Sequence, residues 1–389
     1  MKHRFFAIAA AFALATISPA SAQSHFSVDY QVDAAHSGAL RFGTGFTPPL
    51  TLKWTRDLGL DVSYPIVVRG LVYVTTGCPD GGPYSGQVVA LDLATGETVW
   101  QKDYDVLYCR MNATYDSGHL FVLGYDSMLR KFSRSGDLIW SVKTEDQSTS
   151  AMPPTAFGGQ VFATITENAI LALSERDGTK QWLTGDWGSE GFPLVGDGGV
   201  YVTVAFNTSK FDLLTGKVLW HYSCGGEGAE GWPTTYHLGR VYSLDGYCNA
   251  PILNSQTGKI NGHLFSPQTP TFWTDKNGDT LSINLGQDEL VGRNKLGGRV
   301  WTFTKKYLAS APLVINNVVA IASFDQVHGS NLYIVDARTG QELWETVLPG
   351  YFYQDTLGPM IGLGGGEGVL LVPTQTKLSA FVEATPGGQ

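Results

Sequence analysis

The chain has 389 residues, 43% hydrophobic and 12% aromatic, and only 16% are charged. That balance excludes a disordered chain and allows a large core, while 47 glycines call for many tight turns. A formal charge of −9 argues against nucleic-acid and anionic-membrane partners.

Residues 1–22 read as a secretory signal. Lys2, His3 and Arg4 give a positive start, Phe5 to Ile17 is a short apolar run, and Ala20-Ser21-Ala22 is a cleavage site. Cleavage after Ala22 removes Lys2 and Arg4, leaving 24 basic against 35 acidic residues, a net −11. No Cys follows the cleavage site, so no lipid anchor is expected. No later segment is long and apolar enough to span a bilayer. The expected product is a periplasmic or extracellular monomer.

After a lead-in over 23–49, TLKWTRDL (51–58) is a strand carrying Trp54 with no neighbours of its own. Then one phrase recurs. LDLATGETVW (91–100) returns as LSERDGTKQW (173–182), FDLLTGKVLW (211–220) and VDARTGQELW (335–344), with weaker copies at 131–140 and 294–301. LNSQTGKING (253–262) keeps the turn but has Gly262 in the Trp position. The phrase reads as strand, turn, strand. Asp92, Asp212 and Asp336 can hydrogen-bond the turn backbone, and the Gly suits a left-handed position. A β-rich run lies about 20 residues upstream of each phrase, preceded by a short apolar segment that most often contains Pro. Each unit is therefore four strands, with Trp on the last.

The Trp positions are 100, 140, 182, 220, 262 (Gly), 301 and 344, a spacing of 38 to 43 residues that fits propeller blades. An eighth unit begins at Gly358 and lacks its last strand, which 51–58 supplies by pairing with 377–383. The expected fold is all-β, an eight-bladed propeller over 50–385 with a tail at 386–389; seven blades and a loose strand are the alternative. Trp54, Trp100, Trp140, Trp182, Trp220, Trp301 and Trp344 are read as packing wedges between blades.

The phrase LD-x-x-TG-x-x-x-W resembles the PQQ-like (quinoprotein) β-propeller repeat. The lead-in over 30–58, with Asp33-x-x-His36-x-Gly38, is similar to that family's entry segment. The resemblance runs from residue 30 to about 385 and implies eight blades. The family includes dehydrogenases that use pyrroloquinoline quinone (PQQ) and an outer-membrane-protein assembly lipoprotein.

In a propeller, the loops between second and third strands share a face with the blade-to-blade connections. Cys78, Cys109, Cys224 and Cys248 all fall on that face, and the first two lie roughly across the ring from the others. The expected disulfides are Cys78–Cys109 and Cys224–Cys248. No C-x-x-C suggests redox chemistry, and the adjacent cysteines of several PQQ dehydrogenases are missing.

The same face carries the candidate ligand-binding residues. GDWGSEGFP (185–193) and GGEGAEGWP (225–233) place Glu190 and Glu230 three residues before a strand-initial Pro. Asp61 and Asp355 stand four before theirs. Trp187, Trp232, Tyr351 and Tyr353 lie close by, and Arg110 is the nearby cation. Converging carboxylates could hold Ca²⁺, and aromatics beside them could stack on a sugar or a quinone. The plainer reading is solvated loop acids and packing groups. His36 reads as a residue docking the lead-in, and His221 as a structural loop histidine. DKNGD (275–279) reads as a polar turn, and GLGGGEG (362–368) fails as a dinucleotide motif at Glu367.

No catalytic residue, cofactor or metal is assigned. The expected function is a non-catalytic binding or scaffolding module whose loop face takes a protein, small-molecule or sugar partner. The alternatives are a PQQ- and Ca²⁺-dependent alcohol or sugar dehydrogenase and a scaffold like the outer-membrane assembly factor.

Overall fold

The computed structural model describes residues 24–385 apart from 79–84, 107–108, 145–151, 166–168, 186–190, 227–230, 246, 265, 267, 326 and 353–359. The strands form eight antiparallel sheets, one per blade. Blade 1 has Ile66–Val68, Leu71–Gly77, Gly86–Asp92 and Thr98–Tyr104, with Asp61–Val62 added beside its second strand. Blades 2 to 7 begin at Met111, Thr155, Leu194, Thr234, Thr271 and Leu313. Blade 8 is composite. Gly364–Gly366, Val369–Thr374 and Lys377–Glu383 are completed by Leu50–Asp57, which pairs Leu50 with Glu383 through to Asp57 with Lys377. The expected count and closing strand are both present, and closure removes two sheet edges.

The recurring phrase forms the third strand, turn and fourth strand of each blade. Asp92 Oδ1 accepts the N–H groups of Ala94 and Thr95 and the Thr95 hydroxyl. Asp212 and Asp336 do the same with Thr215 and Thr339. These bonds hold the Asp92 and Asp212 carboxyls below their usual range. In all eight blades the pairing of the last two strands skips the residue before the Trp position, for example Val99 between Thr98 and Trp100. This bulge turns the indole out of its own sheet and toward the next blade.

There the indole meets the turn glycine. A Cβ added at Gly96 would lie 2.7 Å from Trp54, and one at Gly136 would lie 2.7 Å from Trp100. The corresponding gaps are 2.6 Å for Gly216 and Trp182, 2.8 Å for Gly258 and Trp220, and 2.5 Å for Gly340 and Trp301. Gly178 faces Trp140 at 3.2 Å. These glycines also have φ between +67° and +85°, so a left-handed turn and a flat neighbour both require glycine. Each indole N–H then donates to the carbonyl of the residue following the turn's first: Trp54 to Leu93, Trp100 to Arg134, Trp140 to Glu175, Trp182 to Leu213, Trp220 to Ser255 and Trp301 to Ala337. Trp344 has no such turn ahead, because the chain ends meet in blade 8, and it packs edge-on against Phe381.

The first strand of each blade would leave its inner edge unpaired around the axis. The lead-in runs round the channel and pairs with these strands in turn. Ser27 N–H donates to Gly365 in blade 8 and Val67 N–H to Ser27 in blade 1. Tyr115 of blade 2 donates to Val28 and the Thr114 hydroxyl to Asp29, which also lies against the Thr155 hydroxyl of blade 3. Val195 of blade 4 donates to Ala34, Tyr236 of blade 5 to Ala35, and the Thr271 hydroxyl of blade 6 to Gly38. Ala39–Leu40 then pairs in parallel with Val314 and Ile315 of blade 7, and Arg41 donates back to Ser24 to close the circuit. Gly364–Gly366 lies in this crowding: added Cβ atoms would meet Ser27 at 3.1 Å, Phe42 at 3.2 Å and Phe26 at 3.0 Å in the lead-in, and Pro65 at 2.7 Å and Val67 at 2.9 Å in blade 1.

Trp182, 7% exposed, is expected to cost about 3–5 kcal/mol when replaced by Ala, because it loses both its packing and its N–H donor. Leu214→Ala on the neighbouring turn tip, 67% exposed, should stay within about 0.5 kcal/mol. Urea melts of the two variants test this, and a Trp182→Ala loss no larger than that of Leu214→Ala would remove the indole from its wedge role.

Candidate functional site

Both expected disulfides form, with Cα separations of 5.4 Å for Cys78–Cys109 and 5.6 Å for Cys224–Cys248. Each ties a loop after a second strand to a blade-to-blade connection, which confirms that these segments share one face. They close loops of 31 and 24 residues; by loop entropy each is worth roughly 3–4 kcal/mol.

Of the nine candidate ligand residues, Trp187, Glu190, Glu230, Tyr353 and Asp355 lie outside the described residues. Trp232 is described in its backbone alone: Gly231–Trp232 forms a short strand paired with Thr203 and Val204 of blade 4. Asp61 and Arg110 come together at the first disulfide. Asp61 pairs with Gly77, the residue before Cys78, and Arg110 follows Cys109, its carbonyl accepting from Tyr125. Tyr351 sits on the connection from blade 7 to blade 8, 37% exposed and edge-on to Phe324. Its neighbour Phe352 is buried in the core of blades 7 and 8.

Around the second disulfide lies a polar cluster not singled out in the sequence. The hydroxyls of Thr203, Thr208, Thr234 and Ser243 are linked at 2.8–3.2 Å. Asp245 is fully buried beside them, with Oδ1 accepting the N–H groups of Tyr247 and Cys248. Burial pushes its carboxyl above the usual range. Phe206 stacks on Tyr247 at 4.5 Å. Asp245 could have been noticed as the acid three residues before Cys248. The hydroxyls could not, because they gather from two blades.

The axis of the ring is filled by the lead-in. Tyr30 packs against His36, Tyr64 and Phe192 at 5.4–5.5 Å. Asp33 accepts the backbone N–H groups of Ala35 and Ser37 and the Ser37 hydroxyl, shaping the turn that presents His36. His36 Nδ1 meets the Thr234 carbonyl at 3.0 Å, while Nε2 is buried with no hydrogen-bond partner among the described residues. His36 thus docks the lead-in, as expected. Desolvation lowers its pKa to about 4 and pushes the Tyr30 phenol up to about 12. Asp29, buried against Thr114 and Thr155, is raised well above the usual carboxylate range, chiefly by desolvation.

His221 departs from expectation. It lies in strand Val218–Ser223, not in a loop, because the strand runs past its Trp to bring His221 across from Ser209 at 2.9 Å. Asp275 accepts the N–H groups of Asn277 and Asp279 and pairs with Arg338, so 275–279 is a polar turn. Among the described residues no group of three or more His, Cys, Asp or Glu side chains is placed to hold a metal. No helix among them is long and apolar enough to cross a membrane.

An eight-bladed ring of indole-wedged blades with an axial entry segment defines a PQQ-like β-propeller. The chain belongs to that family: the family model described as "Outer membrane protein assembly factor BamB" matches residues 27–102 and 85–232, more than half its length. A curated relative, the dehydrogenase subunit of alcohol dehydrogenase (quinone) from Gluconacetobacter polyoxogenes, is 27% identical over 188 residues, 44% of this chain and 21% of that protein. The match thus spans about a fifth of the relative's length. The crystal structure of BamB from Moraxella catarrhalis superposes with a TM-score of 0.64 at 16% identity, covering 86% of this chain and 99% of that one. Quinohemoprotein alcohol dehydrogenase from Comamonas testosteroni gives 0.65 at 14% identity, covering 95% and 82%. At such identities these structures share the fold.

His36 generates a pH prediction. Its folded pKa of about 4 lies below the unfolded value near 6.5, so the unfolded chain binds more protons between the two. The stability it contributes is present above pH 6.5 and is lost as pH falls toward 4, by about 3 kcal/mol in all. Asp29 has the opposite sign, since its raised pKa withdraws stability as pH rises. Urea melts at neutral and mildly acidic pH, compared between the native chain and His36→Gln, isolate the histidine. The variant should lose less on acidification, and equal losses would remove His36 from the account.

Proposed function

We propose that this is an exported, non-catalytic binding or scaffolding module whose loop face is its working surface. One observation carries the reading: the lead-in fills the axis and touches the first strands of all eight blades, by backbone hydrogen bonds in six and through the Thr155 and Thr271 hydroxyls in blades 3 and 6. Polar groups and disulfide-pinned connections are thereby left to act at the loop face. Two disulfides suit an oxidising compartment, in keeping with export. The match to the assembly-factor family model supports a protein as the partner. The exposed aromatics Tyr247 and Tyr351 offer rigid contact area suited to such a partner, and the buried hydroxyl cluster around Thr203 holds the blades beneath Tyr247 together.

The likeness to a quinone-dependent alcohol dehydrogenase subunit favours a second reading, oxidation of an alcohol or sugar with PQQ and Ca²⁺. Three of the four carboxylates that this reading would use, Glu190, Glu230 and Asp355, lie outside the described residues. Asp61, beside Arg110 at the first disulfide, is the described carboxylate in the candidate set.

A photo-crosslinking residue at Tyr351, on the loop face, should capture an envelope protein in producing cells, while one at Leu214, on the opposite turns, should not. Equal capture at both positions would sink the loop-face reading. Titration of the mature chain with PQQ, with and without Ca²⁺, should leave the melting temperature unchanged. A calcium-dependent rise would establish the dehydrogenase reading instead.

A further inference from the structure

Gly262 breaks the repeat, and the fold leaves a space where it does. At six of the other seven junctions an indole lies over the next blade's turn glycine, the exception being Trp344 before the composite blade. At the junction of blades 5 and 6 the Trp position is Gly262, and the facing turn glycine, Gly297, has no atom within 4 Å of an added Cβ. A cavity of about 250 Å³ lies there, lined by His237, Arg240, Tyr242, Phe272, Lys295 and Gly297. It is large enough for one or two fused rings, since apolar cavities of about 150 Å³ already take up benzene.

The blade 6 turn retains the features that receive an indole elsewhere. It has the short form found in blade 2. Asn294 N–H donates to Gly298 and Gly297 N–H to Asn294, as Ser133 N–H donates to Asp137 and Gly136 N–H to Ser133. In blade 2 that turn holds Trp100 over Gly136 and accepts its N–H at the Arg134 carbonyl, 2.9 Å away. The corresponding pair in blade 6 is Gly297 and the Lys295 carbonyl.

The walls are aromatic. His237 and Phe272 stack with centroids 3.9 Å apart and planes 3° apart, and Tyr242 adjoins Phe272 at 4.9 Å. His237 Nε2 is buried without a hydrogen-bond partner among the described residues. Burial, with Arg240 nearby, lowers the His237 pKa to about 4, so the ring is neutral at physiological pH. Arg240 and Lys295 are exposed at the rim and bring positive charge to it.

We propose that this gap is a binding site for a small planar aromatic acid, whose ring takes the place an indole occupies at six other junctions. The ring lies over Gly297, a ring N–H reaches the Lys295 carbonyl, and the carboxylate meets Arg240 and Lys295. The site lies among the turns opposite the loop face, so it stands or falls independently of the proposed function.

The test is calorimetric titration of the full mature chain with indole-3-acetate, and with indole as the uncharged probe. Saturable one-to-one binding at sub-millimolar affinity is expected, with indole about tenfold weaker. Arg240→Gln with Lys295→Gln should remove that tenfold advantage and leave indole binding unchanged. Gly262→Trp supplies the missing indole and should abolish binding of both probes. Because Gly262 has φ +155°, a conformation that disfavours any side chain there, Ser282→Trp, filling the cavity from the adjacent strand, serves as the second block. No saturable binding at millimolar probe, or binding undiminished in a folded Ser282→Trp chain, overturns the proposal.

Discussion

The ring depends on one contact, repeated at six of its eight junctions: an indole lying flat on a glycine of the next blade. A closed ring of eight sheets must hold every junction at nearly the same angle, because an error at one is carried to the last. The contact meets this demand with two restraints at once. The face of the indole fixes the separation at a backbone with no Cβ, and its N–H fixes the orientation at a carbonyl. The bulge before each Trp aims the ring out of its own sheet. The turn, the bulge and the wedge are thus one device, which explains why they recur as one phrase.

The second constraint is the row of unpaired backbone groups round the axis. Eight first strands present inner edges that water could satisfy only by filling the channel. The lead-in bonds to the backbone of six of them instead and carries Tyr30, Val32, His36 and Leu40 into burial. The axis is thereby filled by the chain's own segment rather than left open. The buried ionisable groups of the lead-in, His36 and Asp29, couple the plug to pH with opposite signs.

Much of this is legible in the sequence. The blade count, the composite blade, the wedge role of the indoles and both disulfide pairings follow from spacing, because the repeat places every loop on one face or the other. His36 was readable as a docking residue. The candidate site was less so. Asp61 and Arg110 lie beside the same disulfide, five of the nine candidates lie outside the described residues, and the hydroxyl cluster with Asp245 has no sequence signal. Such clusters join residues from different blades, and no local pattern marks them.

The sequence by itself determined the architecture, because a repeat of about 40 residues with a wedge and a turn in each copy can bury its faces only by stacking on itself. Tertiary structure alone decided what the exceptions mean. Gly262 reads as a lost tryptophan, and Gly364–Gly366 as a failed nucleotide motif. In the fold the first opens a cavity, and the second clears the path by which the lead-in enters and leaves the ring. The physical reason is the same in both cases: a glycine says only that a side chain is missing, and what occupies the vacated space is set by segments far away in the chain.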